Sequence, residues 1–118
     1  VTARDKLRLD LFNRRYAVYE GVREFISTVL TSRESDPLRP LAKATSDASF
    51  LFGPEVVSFI KKLQSEFIEL RSLERREEAR VGNMDDSFER QRTIAVWFAG
   101  QLEEAETLFG RYLNFRRL

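Results

Sequence analysis

Phe50-Leu51-Phe52-Gly53-Pro54-Glu55-Val56-Val57 is the stretch whose reading decides the fold, because two apolar segments meet there with no polar linker between them. Glycine leaves helical geometry at little steric cost. Proline followed by an acid suits the first turn of a helix, where no N–H is missed and a carboxylate faces the positive end of the dipole. The stretch therefore predicts one helix ending at Phe52 and another starting at Pro54, with Phe50, Phe52 and Val56 packed into the corner between them.

Upstream of that corner, Asp36 and Pro37 read as the cap and first position of a second helix over 37–52, with Leu41, Ala44, Ala48 and Leu51 as its inward row. Before the break at Ser32–Pro37, Leu7, Leu11, Phe12, Tyr16, Val18, Tyr19, Val22, Phe25, Ile26, Val29 and Leu30 recur at spacings of three and four. That periodicity predicts a first helix over 2–32, roughly 45 Å long at 1.5 Å per residue. Downstream, Val56, Phe59, Ile60, Leu63, Phe67 and Leu70 define a third helix over 54–79, which turns strongly charged towards its end. Gly82-Asn83 reads as a left-handed stop, and Asp86-Ser87-Phe88-Glu89 has capping-box spacing. A fourth helix over 86–115 then faces Phe88, Ile94, Ala95, Phe98, Leu102, Ala105, Phe109, Tyr112 and Leu113 inward. Gly21, Gly100 and Gly110 fall inside these helices, where close helix approach is the usual reason for glycine. Short connections favour antiparallel neighbours. The expected fold is all-α, a single helical domain forming an antiparallel up-down-up-down four-helix bundle with a short second helix.

The composition fits that reading and narrows the chemistry. With 118 residues, 42% hydrophobic and 33% charged, the chain is long enough to bury a core without staples. It has no cysteine, which removes disulfides and thiolate chemistry, and no histidine, the commonest general base and metal ligand. No cofactor is expected. The longest apolar run, Thr93 to Leu102, is about half of what a bilayer span needs. The start at Val1 rather than methionine leads us to expect an upstream segment.

Three features carry functional expectations. Residues 1–15 and 105–118 together hold eight cations against three carboxylates, while the whole chain is only +1. Arg4, Lys6, Arg8, Arg111, Arg116 and Arg117 in this basic end suit the cytosolic flank of a membrane, or simply a solvated helix end. The interspersed acids, with no glycine-rich or helix-turn-helix context, argue against nucleic acid. Arg15 falls in the middle of the apolar stripe of the first helix, where an unpaired guanidinium would cost several kcal/mol. We expect it to bond Glu55 or the free carbonyls of Phe50 to Phe52 and so lock the corner. Trp97 lies beside the stripe of the fourth helix, either as a partner-binding anchor or as a cap on the core edge.

The carboxylates sit beside lysines and arginines at helical spacings, as exposed ion-paired faces do. Neither a Glu-x-x-His pair nor a phosphate loop accompanies them, so no catalytic or metal-binding residue is singled out. A soluble helical enzyme or small-ligand binder using carboxylates between helices is the alternative.

The segment Asp5-Lys6-Leu7-Arg8-Leu9-Asp10-Leu11-Phe12-Asn13-Arg14-Arg15-Tyr16-Ala17-Val18-Tyr19-Glu20, followed by Phe50-Leu51-Phe52-Gly53-Pro54-Glu55-Val56, resembles a group of small uncharacterised bacterial membrane proteins. Asn13 departs from that pattern, which has an aspartate there. The resemblance implies a single-pass anchor upstream of Val1 and a cytosolic helical domain at the bacterial inner membrane. It supplies no substrate or catalytic residue. The leading expectation is a non-enzymatic helical interaction domain that binds a protein partner or itself.

Overall fold

The computed structural model describes residues 2–33 and 35–114, and these are all-helical. Six helical segments follow one another: α1 Ala3–Thr31, α2 Leu38–Ala44, α3 Ala48–Leu51, α4 Pro54–Ala79, α5 Met84–Ala99 and α6 Gln101–Leu113. No described helix is long and apolar enough to cross a membrane.

Each boundary has a local cause. Thr2 and Asp5 form a reciprocal capping box that starts α1. The second expected helix, 37–52, is instead two short ones, because Thr45 and Ser46 divert their bonds locally. The Thr45 hydroxyl donates to the Leu41 carbonyl at 2.7 Å and the Ser46 hydroxyl to that of Lys43 at 3.1 Å. The cap also shifts by one residue. Pro37 is the N-cap of α2, and the Asp36 carboxylate accepts from the Leu38 N–H at 3.2 Å. At the far end of α4 Arg80 is left-handed, at φ 54°, and Gly82 also has a positive φ, at 85°, so the stop begins two residues before Gly82-Asn83; the Val81 N–H closes the end onto the Arg76 carbonyl at 2.9 Å. Asn83, not Asp86, then caps α5, accepting from the N–H groups of Asp85 and Asp86.

Gly100 interrupts what the periodicity reads as one fourth helix. Its N–H turns to the Trp97 carbonyl at 3.1 Å, and the buried Gln101 side chain donates to the same oxygen at 3.0 Å. The Gln101 amide is thereby satisfied, and no buried side-chain polar atom is left unpartnered among the described residues.

Val18, Val22, Phe25 and Ile26 of α1 pack with Leu41, Leu51, Val56, Leu63, Phe67, Ile94, Phe98, Ala105 and Phe109 in one buried cluster. Two aromatic layers mark its levels. Phe25 meets Phe67 at 5.5 Å and Phe98 at 6.2 Å between ring centroids, while Tyr19 and Phe52 both meet Phe109, at 5.3 and 5.0 Å.

The arms are offset rather than flush. The molecule is 62 Å long and 24 Å across, whereas the 29 residues of α1 span only about 44 Å. At one pole Thr2 to Leu11 are exposed all round, so Leu7 and Leu11 of the expected stripe face water, with Leu9 beside them and Tyr16 near the base. At the other pole the α4–α5 turn overhangs, leaving Val81 and Phe88 exposed. Leu30 and Ala95 of the expected rows are exposed as well.

Close approach explains Gly21. A Cβ built there would collide with the Cβ of Ala44 on α2. Gly21→Ala should therefore lower stability by about 1–3 kcal/mol. The double change Gly21→Ala with Ala44→Gly should recover part of that loss in urea unfolding, since it removes the methyl that is struck.

Candidate functional site

The corner at residues 50–55 is closed by two side chains that reach it from other arms. Where α3 ends, the Leu51 carbonyl loses its helical partner, and Arg15 of α1 donates to it through Nε at 2.8 Å. The guanidinium carbon then lies 5.3 Å from the Tyr112 ring centroid and 5.9 Å from that of Phe52, over faces that attract a cation. Tyr112 of α6 completes the join: its hydroxyl accepts from the Gly53 N–H at 2.9 Å and donates to the Glu55 carboxylate. Gly53 keeps an ordinary extended backbone, so its role is spatial. A Cβ there would stand 2.7 Å from the Tyr112 hydroxyl and also strike Glu55.

Arg15, Phe52, Gly53, Pro54 and Glu55 are thus brought together, but Phe50 is not among them. It is 86% exposed. The reason is the broken second helix: in the four-residue α3, Ala48 and Leu51 take the inward side, and Phe52 swings in because it leaves the helix in extended geometry. Phe50 is left on the outer side. Arg15 and Glu55 also part company, one bonding a carbonyl and the other a phenol.

Arg4, Lys6 and Arg8 stand on the exposed start of α1 and make no ion pair with a described residue. Arg111 lies in the last turn of α6, where its charge reaches Glu55. Arg116 and Arg117 lie outside the described residues. Trp97 is half-buried at the seam of α4 and α5, edge-on to Phe98 at 5.0 Å, with the Lys62 ammonium 5.9 Å from its ring. It caps the core edge there, and the neighbouring Val96 is the more exposed side chain, at 68%.

The interhelical carboxylates are matched by cations. Buried Glu66 takes Lys62 at 2.9 Å and Arg90 at 3.5 Å, and Glu69 takes Arg90 in a two-pronged bond at 2.7 and 2.8 Å. Glu74, also buried, takes Arg71 at 2.8 and 3.1 Å and Arg33 at 3.5 Å. Arg71 further donates to the carbonyls of Ser32 and Ser35, so the α1–α2 linker is stapled to α4. A cleft of about 360 Å³ beside this staple has Leu38, Phe67 and Ile68 as its apolar side, with arginines and carboxylates in equal number. Among the described residues no group of His, Cys, Asp or Glu could hold a metal ion.

Hydrogen bonds set the titration behaviour. The bond from Tyr112, and then one from its own backbone, holds the Glu55 carboxyl below the usual carboxylate range, and Arg90 does the same for Glu69 while its own pKa rises.

Comparison with known proteins gives no match: no family model, no curated sequence and no solved structure is similar to this chain.

Two outcomes follow from this geometry. Arg15→Met should cost about 1.5–3 kcal/mol, the range for a lost charge-assisted hydrogen bond, and Arg15→Lys should recover only part because an ammonium cannot stack on both rings. Chemical denaturation of the two variants checks the order. Because Glu55 and Glu69 bind protons less readily folded than unfolded, their contribution is complete above about pH 4.3 and is lost as pH falls through their lower native values. The melting temperature should accordingly hold from pH 7 to about 5 and drop below about 4, with a shallower acid limb in Glu69→Gln.

Proposed function

We propose that the chain is a non-enzymatic helical interaction domain held at the cytosolic face of a bacterial inner membrane. In this reading the arms form an antiparallel up-down-up-down bundle whose second arm is α2 with α3 and whose fourth is α5 with α6. The order of contacts supports that topology. Gly21 meets Ala44 and Arg15 meets Leu51, Phe25 meets Phe67 while Arg33 meets Glu74, and Tyr19 meets Phe109 while Phe25 meets Phe98.

One observation carries the interaction role. Leu7 and Leu9 are 70% and 60% exposed on the regular helix that also builds the core. A free helical end of this length draws little stability from itself in water, and leucines facing solvent forgo about 1.5–3 kcal/mol each that burial would supply. Both shortfalls are removed when a partner, another protein or a second copy, covers the end. The free cations Arg4, Lys6 and Arg8 on the same turns support placement beside anionic headgroups, as does the resemblance of residues 5–20 to bacterial membrane proteins. The buried carboxylates support a bracing role, since lysine and arginine already occupy them. No cofactor enters this reading.

The test is photo-crosslinking in bacterial cells, with a benzoyl-phenylalanine placed at position 7, 9 or 11 of the intact gene product and at position 92 as control. Adducts are expected from the three positions on α1 and not from the exposed Arg92 position on α5. If positions 7, 9 and 11 give no more adduct than 92, the interaction reading fails.

A further inference from the structure

The two poles of the molecule are bare in complementary ways. At one, the face of α1 that packs Val18, Val22 and Phe25 under the other arms continues past them, because Leu7 and Leu11 precede Val18 at helical spacing. The other arms stop near the corner, where Arg15 meets Leu51. Leu7 and Leu11 are 70% and 39% exposed for want of an arm beside them. At the other pole α1 itself stops short. The Glu77 carboxylate takes both Arg33, two residues beyond the end of α1, and Gln91 of α5. Phe88, three residues before Gln91 and so on the same side of α5, therefore stands past the end of α1. It is 48% exposed, and half-buried Met84 lies one turn further out.

The charges are complementary as well. Arg4 and Arg8 flank the Leu7–Leu11 row on one hand, and Asp85 and Glu89 flank the Met84–Phe88 row on the same hand. None of these four makes an ion pair with a described residue. Two helices running in opposite directions bring like-handed flanks together, so an α1 tip laid antiparallel on the start of α5 sets arginine against carboxylate. Two α1 tips laid together in that way would set Arg8 against Arg8. In the arrangement proposed above, α1 and α5 already pack antiparallel within one molecule, where Phe25 meets Phe98.

We infer that the α1 tip of one copy docks on the start of α5 in the next, so that copies join head to tail. Leu7 and Leu11 then cover Met84 and Phe88, with Arg4 and Arg8 beside Asp85 and Glu89. Such a joint is heterologous and leaves a free tip and a free α5 end, so it builds open rows and not closed dimers. Each joint covers few side chains, less than the roughly 1,200 Å² of a standard interface, and association is accordingly weak and concentration-dependent. The inference rests on the interaction role proposed above and names the partner as a second copy. Copies related by translation present every Thr2 in the same direction, so a row lying along a membrane is compatible with the placement given there.

The test is sedimentation of the domain over a wide concentration range, alone and in mixtures. The wild type should rise in average mass past that of a dimer, and less so at raised salt. Leu7→Ser/Leu11→Ser, which blunts the tip, and Phe88→Ser, which blunts the α5 end, should each weaken self-association at least about tenfold. Mixed one to one, the two variants should form a dimer and nothing larger, because each keeps the half of the joint that the other lacks. Thermal melts check that the variants are folded, and the surface change Glu89→Lys takes the place of Phe88→Ser if the latter melts low. A wild type that stays monomeric overturns the inference, as does self-association unchanged by the α5 variant or a mixture that gives no dimer. A monomeric domain that still gives crosslinks from positions 7 and 11 to another protein removes only the self-association; loss of both removes the interaction reading as well.

Discussion

The orphan carbonyl at Leu51 is the point from which the architecture follows. A chain that ends one helix and begins another within three residues leaves an oxygen facing inward, and burial without a partner would cost about as much as a sizeable core side chain contributes. Arg15 supplies the partner from a different arm, and its charge is tolerated there because two aromatic faces and the half-exposed rim share it. The corner then has a fixed distance from α1, and Tyr112 adds a fixed distance from α6. Three arms are held at one level by a handful of directional bonds, around an otherwise non-directional core.

Ion pairs do the corresponding task at the opposite pole, where aromatic residues thin out. Arg71 and Arg33 fasten the α1–α2 linker to Glu74 and Glu77, and Gln91 carries the connection from Glu77 to the buried Ser87 of α5. Pairs of this type specify where segments meet more than they add stability, because desolvation cancels much of the attraction. The molecule is thus registered at both ends by polar contacts, with Phe25, Phe67 and Phe98 filling the middle.

Periodicity made the long arms legible. The third expected helix, 54–79, has the ends that α4 shows, because proline at its start and a charged run at its finish are local signals. The arginine in an apolar stripe is legible for the same kind of reason: its position demands acceptors, and of the two offered, Glu55 and the corner carbonyls, it takes the Leu51 carbonyl. What stayed hidden depends on offsets between arms. Leu7 and Leu11 have the spacing of core residues, yet both are exposed. Periodicity misplaces Phe50 because Thr45-Ser46-Asp47 carries no proline or glycine to mark a break, although Thr45 and Ser46 compete for backbone bonds. The box at Thr2 and Asp5 has the local spacing of a helix start. Nothing in the sequence distinguished Tyr112 from its aromatic neighbours, since the reach of its hydroxyl to Gly53 is set by packing alone.

The arms also differ in stiffness. α1 is unbroken from Ala3 to Thr31, whereas its neighbours are jointed, one at Thr45–Asp47 and another at Gly100. Twist or tilt imposed on the protruding tip is therefore carried along a rigid shaft into the aromatic layers, and the joints in the adjoining arms are where the strain is released. A load at the tip would pass through the Arg15–Leu51 contact and then reach Gly21, where shaft and jointed arm lie too close for either to slide.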